Sequence, residues 1–445
     1  MKKLGMFICF LLGALPTLNA QGLKPTPIAA DLVIHKNLTD NQLLNLVQKQ
    51  TFRYFWDFAH PVSGMARERS TISKNFGDNV VTTGGTGFGI MATIVAADRK
   101  FIARKEAAAH TLKIIDFLLK ADRFHGAYPH WLNGETGKVI PFSKKDDGAD
   151  IVETSYLFQG LLTAQQYYNA NIPIEKEIRT KIKQLWDGME WNWFTHEKNV
   201  LYWHWSPNYT WDMNMPIKGW NECLITYILA ASSPTHAINK AVYTEGWTGS
   251  NTFTNGKTYY NNIILPLGPD YGGPLFWTQY SFMGLNPQGL TDQYADYWQQ
   301  VTSHTLINRQ YCIENPKQYK GYGANCWGLT ASDSWQGYSG HSPTNDLGVI
   351  TPTAALSAFP YAPQFSMQAL RHFYQDLGPK IWGEYGFVDA FSEQHNWYAK
   401  SYLAIDQGPI IVMIENYRSG LLWNLFMRNA DVKTGLKKLD FKIDN

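Results

Sequence analysis

Charge is scarce in this 445-residue chain: Asp, Glu, Lys and Arg make up 17% of it, against about 25% in an average globular protein. Once Lys2 and Lys3 are set aside as part of an N-terminal export segment, the 39 basic residues fall by two to 37, matching 37 acidic ones. A formally neutral chain argues against nucleic acid and anionic membrane surfaces as main partners. Cysteine is nearly absent too. Cys9 lies in the export segment and Cys223, Cys312 and Cys326 remain, so at most one disulfide can form, and Cys312 with Cys326 is the expected pair. Past the N-terminus no apolar run approaches the roughly 18 residues that a membrane span needs. There is no HExxH, no paired CxxC and no calcium-loop spacing, so no metal or other cofactor is expected. The interior also lacks any Pro, Ser or charged low-complexity linker, and residues 21–445 are expected to form a single domain and a monomer.

The export segment is residues 1–20: Lys2 and Lys3, an apolar stretch from Leu4 to Leu18, then Leu18-Asn19-Ala20 before Gln21. Cys9 is too deep in that stretch to be a lipid-anchor site. The mature protein is expected to be periplasmic or secreted.

What the chain has in abundance is aromatic side chains, with 17 Trp, 25 Tyr and 23 Phe, many in Gly/Asn/Pro-rich segments. Tyr128-Pro129-His130-Trp131, Tyr202-Trp203-His204-Trp205 and Phe276-Trp277-Thr278-Gln279-Tyr280 are examples. Flat rings in loops suit the apolar C–H face of a pyranose, while neighbouring polar groups take its hydroxyls. Ordinary packing of loops onto a large fold explains any one of these rings equally well.

Periodicity favours helices. Residues 40–58 put Leu43, Val47, Thr51, Tyr54 and Phe58 on one face behind a Thr39 or Asp40 cap. Segments near 86–98, 101–121, 150–169, 174–192, 217–232, 288–302, 351–359, 363–377, 396–405 and 409–428 also read as helices. The clearest strand signal flanks Asn255-Gly256 and predicts a type I′ hairpin inside a long loop, 233–286, that is a candidate gate over a cleft. About eleven helices with aromatic loops and one hairpin fit an all-α toroid of paired helices.

Carboxylates are the candidate chemistry. Asp146, Asp147, Asp150 and Glu153 crowd into eight residues, and a helix starting near Gly148 would put Asp146, Asp150 and Glu153 on one face. Either a helix N-terminus or a site accounts for them. Glu222 follows Trp220 in the first turn of an apolar helix, where desolvation would keep it protonated. Asp406 precedes Pro409, which is expected at the first position of a final helix with Ile410, Ile414, Tyr417, Leu421 and Leu425 as its buried stripe. The positive helix end should keep Asp406 ionised. One protonated and one ionised carboxyl is what glycosidic hydrolysis needs. Gly84-Gly85-Thr86-Gly87-Phe88-Gly89 lacks the strand and lysine of a phosphate loop and reads as a tight helix entry. Asp146-Asp147-Gly148-Ala149-Asp150 has DDxxD spacing, but no second metal motif accompanies it.

Six blocks carry a resemblance: Thr51–Phe58, Thr82–Gly89, Gly148–Ser155, Gly219-Trp220-Asn221-Glu222, Tyr385–Phe391 and Ile405-Asp406-Gln407-Gly408-Pro409. Together they resemble glycoside hydrolase family 144, the bacterial β-1,2-glucanases, over about residues 40–430. The resemblance implies an (α/α)6 barrel and inverting cleavage of β-1,2-glucan to sophorose or short sophoro-oligosaccharides; endo action is expected, with an exo-acting, sophorose-releasing enzyme of the same family as the alternative. It carries over acidic positions Asp146, Asp150, Glu153, Glu222 and Asp406. Glu222 is expected as general acid and Asp406 as general base, with Asp146, Asp150 and Glu153 lining the site. Arg67, His130, Trp131, Trp220 and Tyr385 are expected substrate contacts. If acid and base act directly, inversion places their carboxyl groups about 6.5–9.5 Å apart. A non-catalytic glycan-binding protein and a polysaccharide lyase stay open as alternatives.

Overall fold

The computed structural model describes residues 26–260 and 262–443; the expected export segment and Cys9 lie outside them. Thirteen α-helices among these residues fall mainly into two kinds. One kind is buried on every side: α2 (Thr83–Asp98), α4 (Ile151–Tyr167), α6 (Leu224–Ser232) and α11 (Ala404–Ser419). An all-round apolar helix has no face for water and has to sit inside. The other kind buries one stripe: α3 (Arg104–Leu118), α5 (Pro173–Asp187), α9 (Pro363–Arg371) and α13 (Ala430–Lys438). These pack outside the first set, α5 on α4 and α13 on α6, while α2 lies against both α4 and α11.

The tightest joint is α2 against α4. A Cβ on Gly87 would sit 2.1 Å from the Tyr156 carbonyl, and one on Gly160 would sit 2.2 Å from the Gly87 carbonyl. The Gly-rich run is therefore the body of α2, not a loop entering it, and its glycines let two backbones touch.

α1 (Asp40–Trp56) starts where the sequence predicts, on a Thr39/Gln42 capping box, but ends before Phe58. Other boundaries differ. Residues 288–302 are not one helix, because Leu290–Thr291 pairs with Lys442–Ile443 and α7 (Tyr297–Glu314) begins at its Asp296 cap. Residues 396–403 form no helix either: Trp397–Tyr398 pairs with Phe391–Ser392. The helix expected from 409 starts at Ala404, so Pro409 lies inside it. It stops at Gly420, where φ is +68°, before a short α12 (Leu421–Phe426). That break turns Tyr417 outward, leaving it 44% exposed and outside the buried stripe.

Short strands of two or three residues are more numerous than the single hairpin expected. β1 (Val80–Thr82), β2 (Trp131–Asn133) and β3 (Val139–Ile140) form one sheet, and β4 (Ala149–Asp150) pairs with β5 (His204–Trp205). The predicted turn at Asn255-Gly256 is displaced. β6 (Thr258–Tyr259) pairs with β7 (Ile263–Ile264), while the Asn255 and Gly256 N–H groups donate to Pro266 and Leu265 carbonyls along the same ribbon. The Asn255 amide donates to the Gly268 and Pro269 carbonyls, at 2.9 and 3.0 Å, so the pair ties strands together instead of reversing them. The 233–286 segment is anchored in the core, with Trp247, Phe253, Leu265, Leu267, Leu275 and Phe282 buried. The three described cysteines, Cys223, Cys312 and Cys326, are free and buried, so the expected pair is not formed.

Candidate active site

The acidic run is split by the fold. α4 begins at Ile151 with Asp150 as its cap, so Asp146 reaches the site from the preceding loop and not from a shared helix face. Asp150 Oδ1 accepts the N–H groups of Val152 and Glu153 at 2.9 Å, and Oδ2 lies 3.1 Å from His130 Nδ1. Glu153 Oε2 accepts the Gly84 N–H at 2.7 Å, and a Cβ on Gly84 would fall 2.6 Å from that same oxygen. Asp147 leaves the group: it accepts from Ser206 Oγ and, at 2.7 Å, from Asn208 Nδ2, fixing the turn after β5. That turn delivers His204, whose Nδ1 lies 3.4 Å from Asp146 Oδ1 and 3.9 Å from Asp150 Oδ2.

Two imidazoles thus offset three buried acids. Burial opposes a charge on His130, but the carboxylates of Glu153, Asp150 and Asp146 outweigh it and raise its pKa to about 9. His204 is raised against the same burial penalty by Asp146 and Asp150. Asp150 is held low despite burial by His130 and His204. Glu153 is raised by burial and by its acidic neighbours. The donor atoms of His130, Asp146 and Asp150 lie within 4.8 Å of one another, close enough to suggest a cation. A protonated His130 with Nδ1 engaged by Asp150 makes a poor ligand, so the imidazolium itself takes the cation's part.

Glu222 is half-buried and stands just ahead of α6, not in its first turn; its carbonyl accepts from Ser281 Oγ at 2.6 Å. Burial, helped by the charges of Asp150 and Glu153, pushes its carboxyl up to about 7. At neutral pH a large fraction carries a proton.

Asp406 lies in the first turn of α11, 2% exposed, and neither carboxyl oxygen has a donor. Burial and the adjoining Asp389 and Asp333 raise its pKa well above the carboxylate range, so the expected helix-end stabilisation of the anion does not hold. The helix dipole is outweighed because no N–H reaches the side chain. Asp389, in the same neighbourhood, is raised to about 7 by burial and by Asp333. Asp333 is paired at 3.1 Å with Arg69, which also holds Glu68 at 2.9 Å. Tyr280 links the two halves, since it feels the charges of both Asp406 and Glu153.

Of the expected contacts, His130 is in the site with Trp131 beside it. Phe142, 50% exposed, stacks on the His130 ring at 4.2 Å. Arg67 is spent on structure: its guanidinium donates to the carbonyls of Phe58 (2.5 Å), Ala59 (3.2 Å) and Asp78 (3.0 Å). Trp220, 3% exposed, packs against Trp247, Phe282 and Tyr297 in the core. Tyr385 is buried against Tyr54, Phe58 and Tyr402. Sequence reasoning missed His204, Arg69, Asp333, Asp389 and the exposed rings of Phe142, Trp335 and Tyr338. The Trp203-His204-Trp205 run and the Asp389 within Tyr385–Phe391 are the signals that could have found two of them.

The Glycoamylase family model, described as "Putative glucoamylase", matches residues 214–430. A solved structure from Bacteroides uniformis under the same description is 60% identical, with a TM-score of 0.90 over 92% of this chain and 99% of its own. An endo-β-1,2-glucanase from Chitinophaga pinensis, solved with sophorotriose and glucose, is 56% identical, with a TM-score of 0.89 over 91% of this chain and 99% of its own. The chain belongs to glycoside hydrolase family 144. Its fold is accordingly of the (α/α)6 type, with the small sheets as additions at the loops. Another family 144 relative, an exo β-1,2-glucooligosaccharide sophorohydrolase from Parabacteroides distasonis, is 46% identical over 424 residues. That match takes in 90% of this chain, which spans 58% of the length of that curated relative.

Proposed function

We propose that this protein is an exported, endo-acting glycoside hydrolase that cleaves β-1,2-glucan with inversion of the anomeric centre. Two carboxyl groups carry the reading, both raised by burial: Glu222 beside the His130–Asp150–Glu153 group, and Asp406, whose charge Tyr280 feels together with that of Glu153. Glu222, held near half-protonation at neutral pH, gives its proton to the leaving glycosidic oxygen, directly or through a substrate hydroxyl. Asp406 takes a proton from the attacking water. His130, Asp146, Asp150 and Glu153 bind sugar hydroxyls with charge-assisted hydrogen bonds, and Phe142 and Trp131 offer faces to the ring. The relatives support the substrate class. Endo action follows the Chitinophaga pinensis enzyme, nearly all of whose length this chain covers; the Parabacteroides distasonis relative supports the exo, sophorose-releasing alternative. Export rests on residues 1–20.

The test is incubation of the mature protein with linear β-1,2-glucan, α-1,4-glucan and β-1,3-glucan, following product size over time and the first-formed anomer by NMR. Mixed short oligosaccharides of inverted configuration from the β-1,2-glucan alone support the proposal. Sophorose alone from the earliest time points replaces endo with exo action, and binding without cleavage removes the acid and base assignments.

A further inference from the structure

A cysteine, a histidine and a glutamate from three separate stretches of the chain converge, and none of them belongs to the acidic groups described above. Cys326 closes the tight turn from Gly323, the two residues exchanging N–H and carbonyl groups at 3.0 and 3.2 Å. His372 opens a π-helical turn, His372–Asp376, that continues α9; such turns recur at functional sites. Glu393 lies in the turn joining Phe391–Ser392 to Trp397–Tyr398. One donor atom from each lies within 4.8 Å of the other two; the cysteine is buried, and the histidine and glutamate are half-buried.

The surroundings hold each group ready. Gly321, at φ +95°, makes room for the carboxyl, since a Cβ there would fall 2.6 Å from Glu393 Oε1. The Gln394 side chain accepts the Lys320 N–H at 3.0 Å and keeps the turn against the loop that leads to Cys326. Lys380 feels the Glu393 charge but donates to the Tyr398 hydroxyl at 2.9 Å. Nδ1 of His372 is held by Asp376 Oδ2 at 2.8 Å, which leaves Nε2 as the ligating nitrogen. A carboxylate behind a histidine fixes its tautomer and makes the ring a better metal ligand. At His130 the partner Asp150 is itself one of the converging donors, whereas Asp376 stands outside this set.

We infer that Cys326, His372 and Glu393 form a binding site for a zinc ion, with a water molecule completing the tetrahedron. Thiolate, imidazole and carboxylate are zinc's own donor types. Zinc bonds of about 2.0–2.3 Å set tetrahedral donors about 3.3–3.6 Å apart, so side-chain movements of about an ångström close the set. On binding, zinc bonds to the sulfur as the thiol proton leaves to solvent. One thiolate and one carboxylate then balance the charge of the dication. The His372 side chain is 25% exposed, which gives the ion an entry path and the water its place. The ion ties the loop ending at Cys326, the end of α9 and the Glu393 turn into one unit. His395, in that same turn, stacks on the exposed Trp335 at 4.3 Å, so the tie also sets the footing of that ring. No local spacing announces the site, because positions 326, 372 and 393 meet only on folding.

The experiment is equilibrium dialysis of the reduced, metal-free mature protein against zinc, with bound metal measured per chain, followed by loading with cobalt(II) as a spectroscopic probe. The wild type should retain one zinc per chain, and its cobalt form should show thiolate-to-metal charge transfer with the intense visible bands of a tetrahedral site. C326A should lose the charge-transfer band and weaken zinc binding more than about 100-fold, and D376N, which keeps all three ligands, should weaken it about tenfold to 100-fold. Should C326A not fold, E393Q takes its place and must weaken binding at least about tenfold. A wild type that retains no zinc overturns the proposal. So does binding that C326A or E393Q leaves unchanged. Binding abolished by H130Q instead overturns it too, because the ion then belongs among the acids around His130.

Discussion

The two acidic halves of the site use the same side chains to opposite ends. Around His130, Asp150 accepts from the helix N-terminus and meets His130, and Glu153 accepts the Gly84 N–H, while Asp146 Oδ1 stands 3.4 Å from His204 Nδ1 without a hydrogen bond. Around Asp406, three carboxyl oxygens lack any such donor, and the one nearby guanidinium is committed to Asp333 and Glu68. The first half holds Asp150 ionised at a fixed position and suits binding. The second raises carboxyl basicity and suits proton transfer. Burial raises carboxyl groups on both sides, and at Asp150 the imidazoles of His130 and His204 outweigh it.

The largest effect that sharpens this contrast belongs to Glu222, which borders the first half without a donor from it. E222Q should lower kcat by about 10³-fold, within the range for a lost general acid, with KM changed less than about threefold in steady-state assays. In the wild type, kcat/KM should fall as pH rises through about 7, where Glu222 loses its proton. A basic limb well above that value would exclude Glu222 as the acid.

Next comes G84A. The new methyl would fall 2.6 Å from Glu153 Oε2 and 2.9 Å from Tyr156 Cδ2, pushing Glu153 off its N–H. It should lower kcat/KM by about tenfold and cost about 1–3 kcal/mol in chemical denaturation, typical of overpacking. Unchanged kinetics would show that the Glu153 position is not needed.

A third prediction breaks the first half itself. His130 has a folded pKa raised to about 9 from its ordinary value of 6.5. Its contribution is fully present below about pH 6.5 and lost as pH rises through about 9, with an upper bound of about 3 kcal/mol. Glu222 and Asp389, also raised, lose stability in the same direction, so the wild type minus H130Q difference isolates the histidine. That difference in unfolding free energy should shrink from pH 6 to pH 10, and a constant difference would mean His130 is neutral. The smallest effect is at the rim, where F142A should raise KM about threefold to tenfold and leave kcat within about twofold, a loss of the size expected for one ring face.

How much is legible beforehand depends on how local the cause is. The Thr39 cap, the proline start of α5 and the desolvated setting of Glu222 are written within a few neighbouring residues. The inner helices show as apolar runs, but without an amphipathic stripe their ends do not, which is why the starts of α6 and α11 differ from the expected ones. Pro409 has the look of a helix start, yet α11 begins at Ala404 and tolerates the missing N–H in its second turn. Trp220 and Tyr385 look like sugar platforms because aromatic side chains carry no sign of which way they face. His204 and Asp389 stay hidden because their partners, Asp146 and Asp406, are distant in sequence and meet them only in the folded chain.

The glycine contact between α2 and α4 has a mechanical consequence. Where Gly87 and Gly160 meet backbone to backbone, the two helices have no side chain between them to act as a spring, and at that point they shift as one rod. Gly84 sits three residues from that weld on one rod face and Glu153 seven residues from it on the other. Their separation is thereby calibrated by main-chain geometry alone, so mutations that soften the surrounding shell should leave the position of Glu153 nearly untouched.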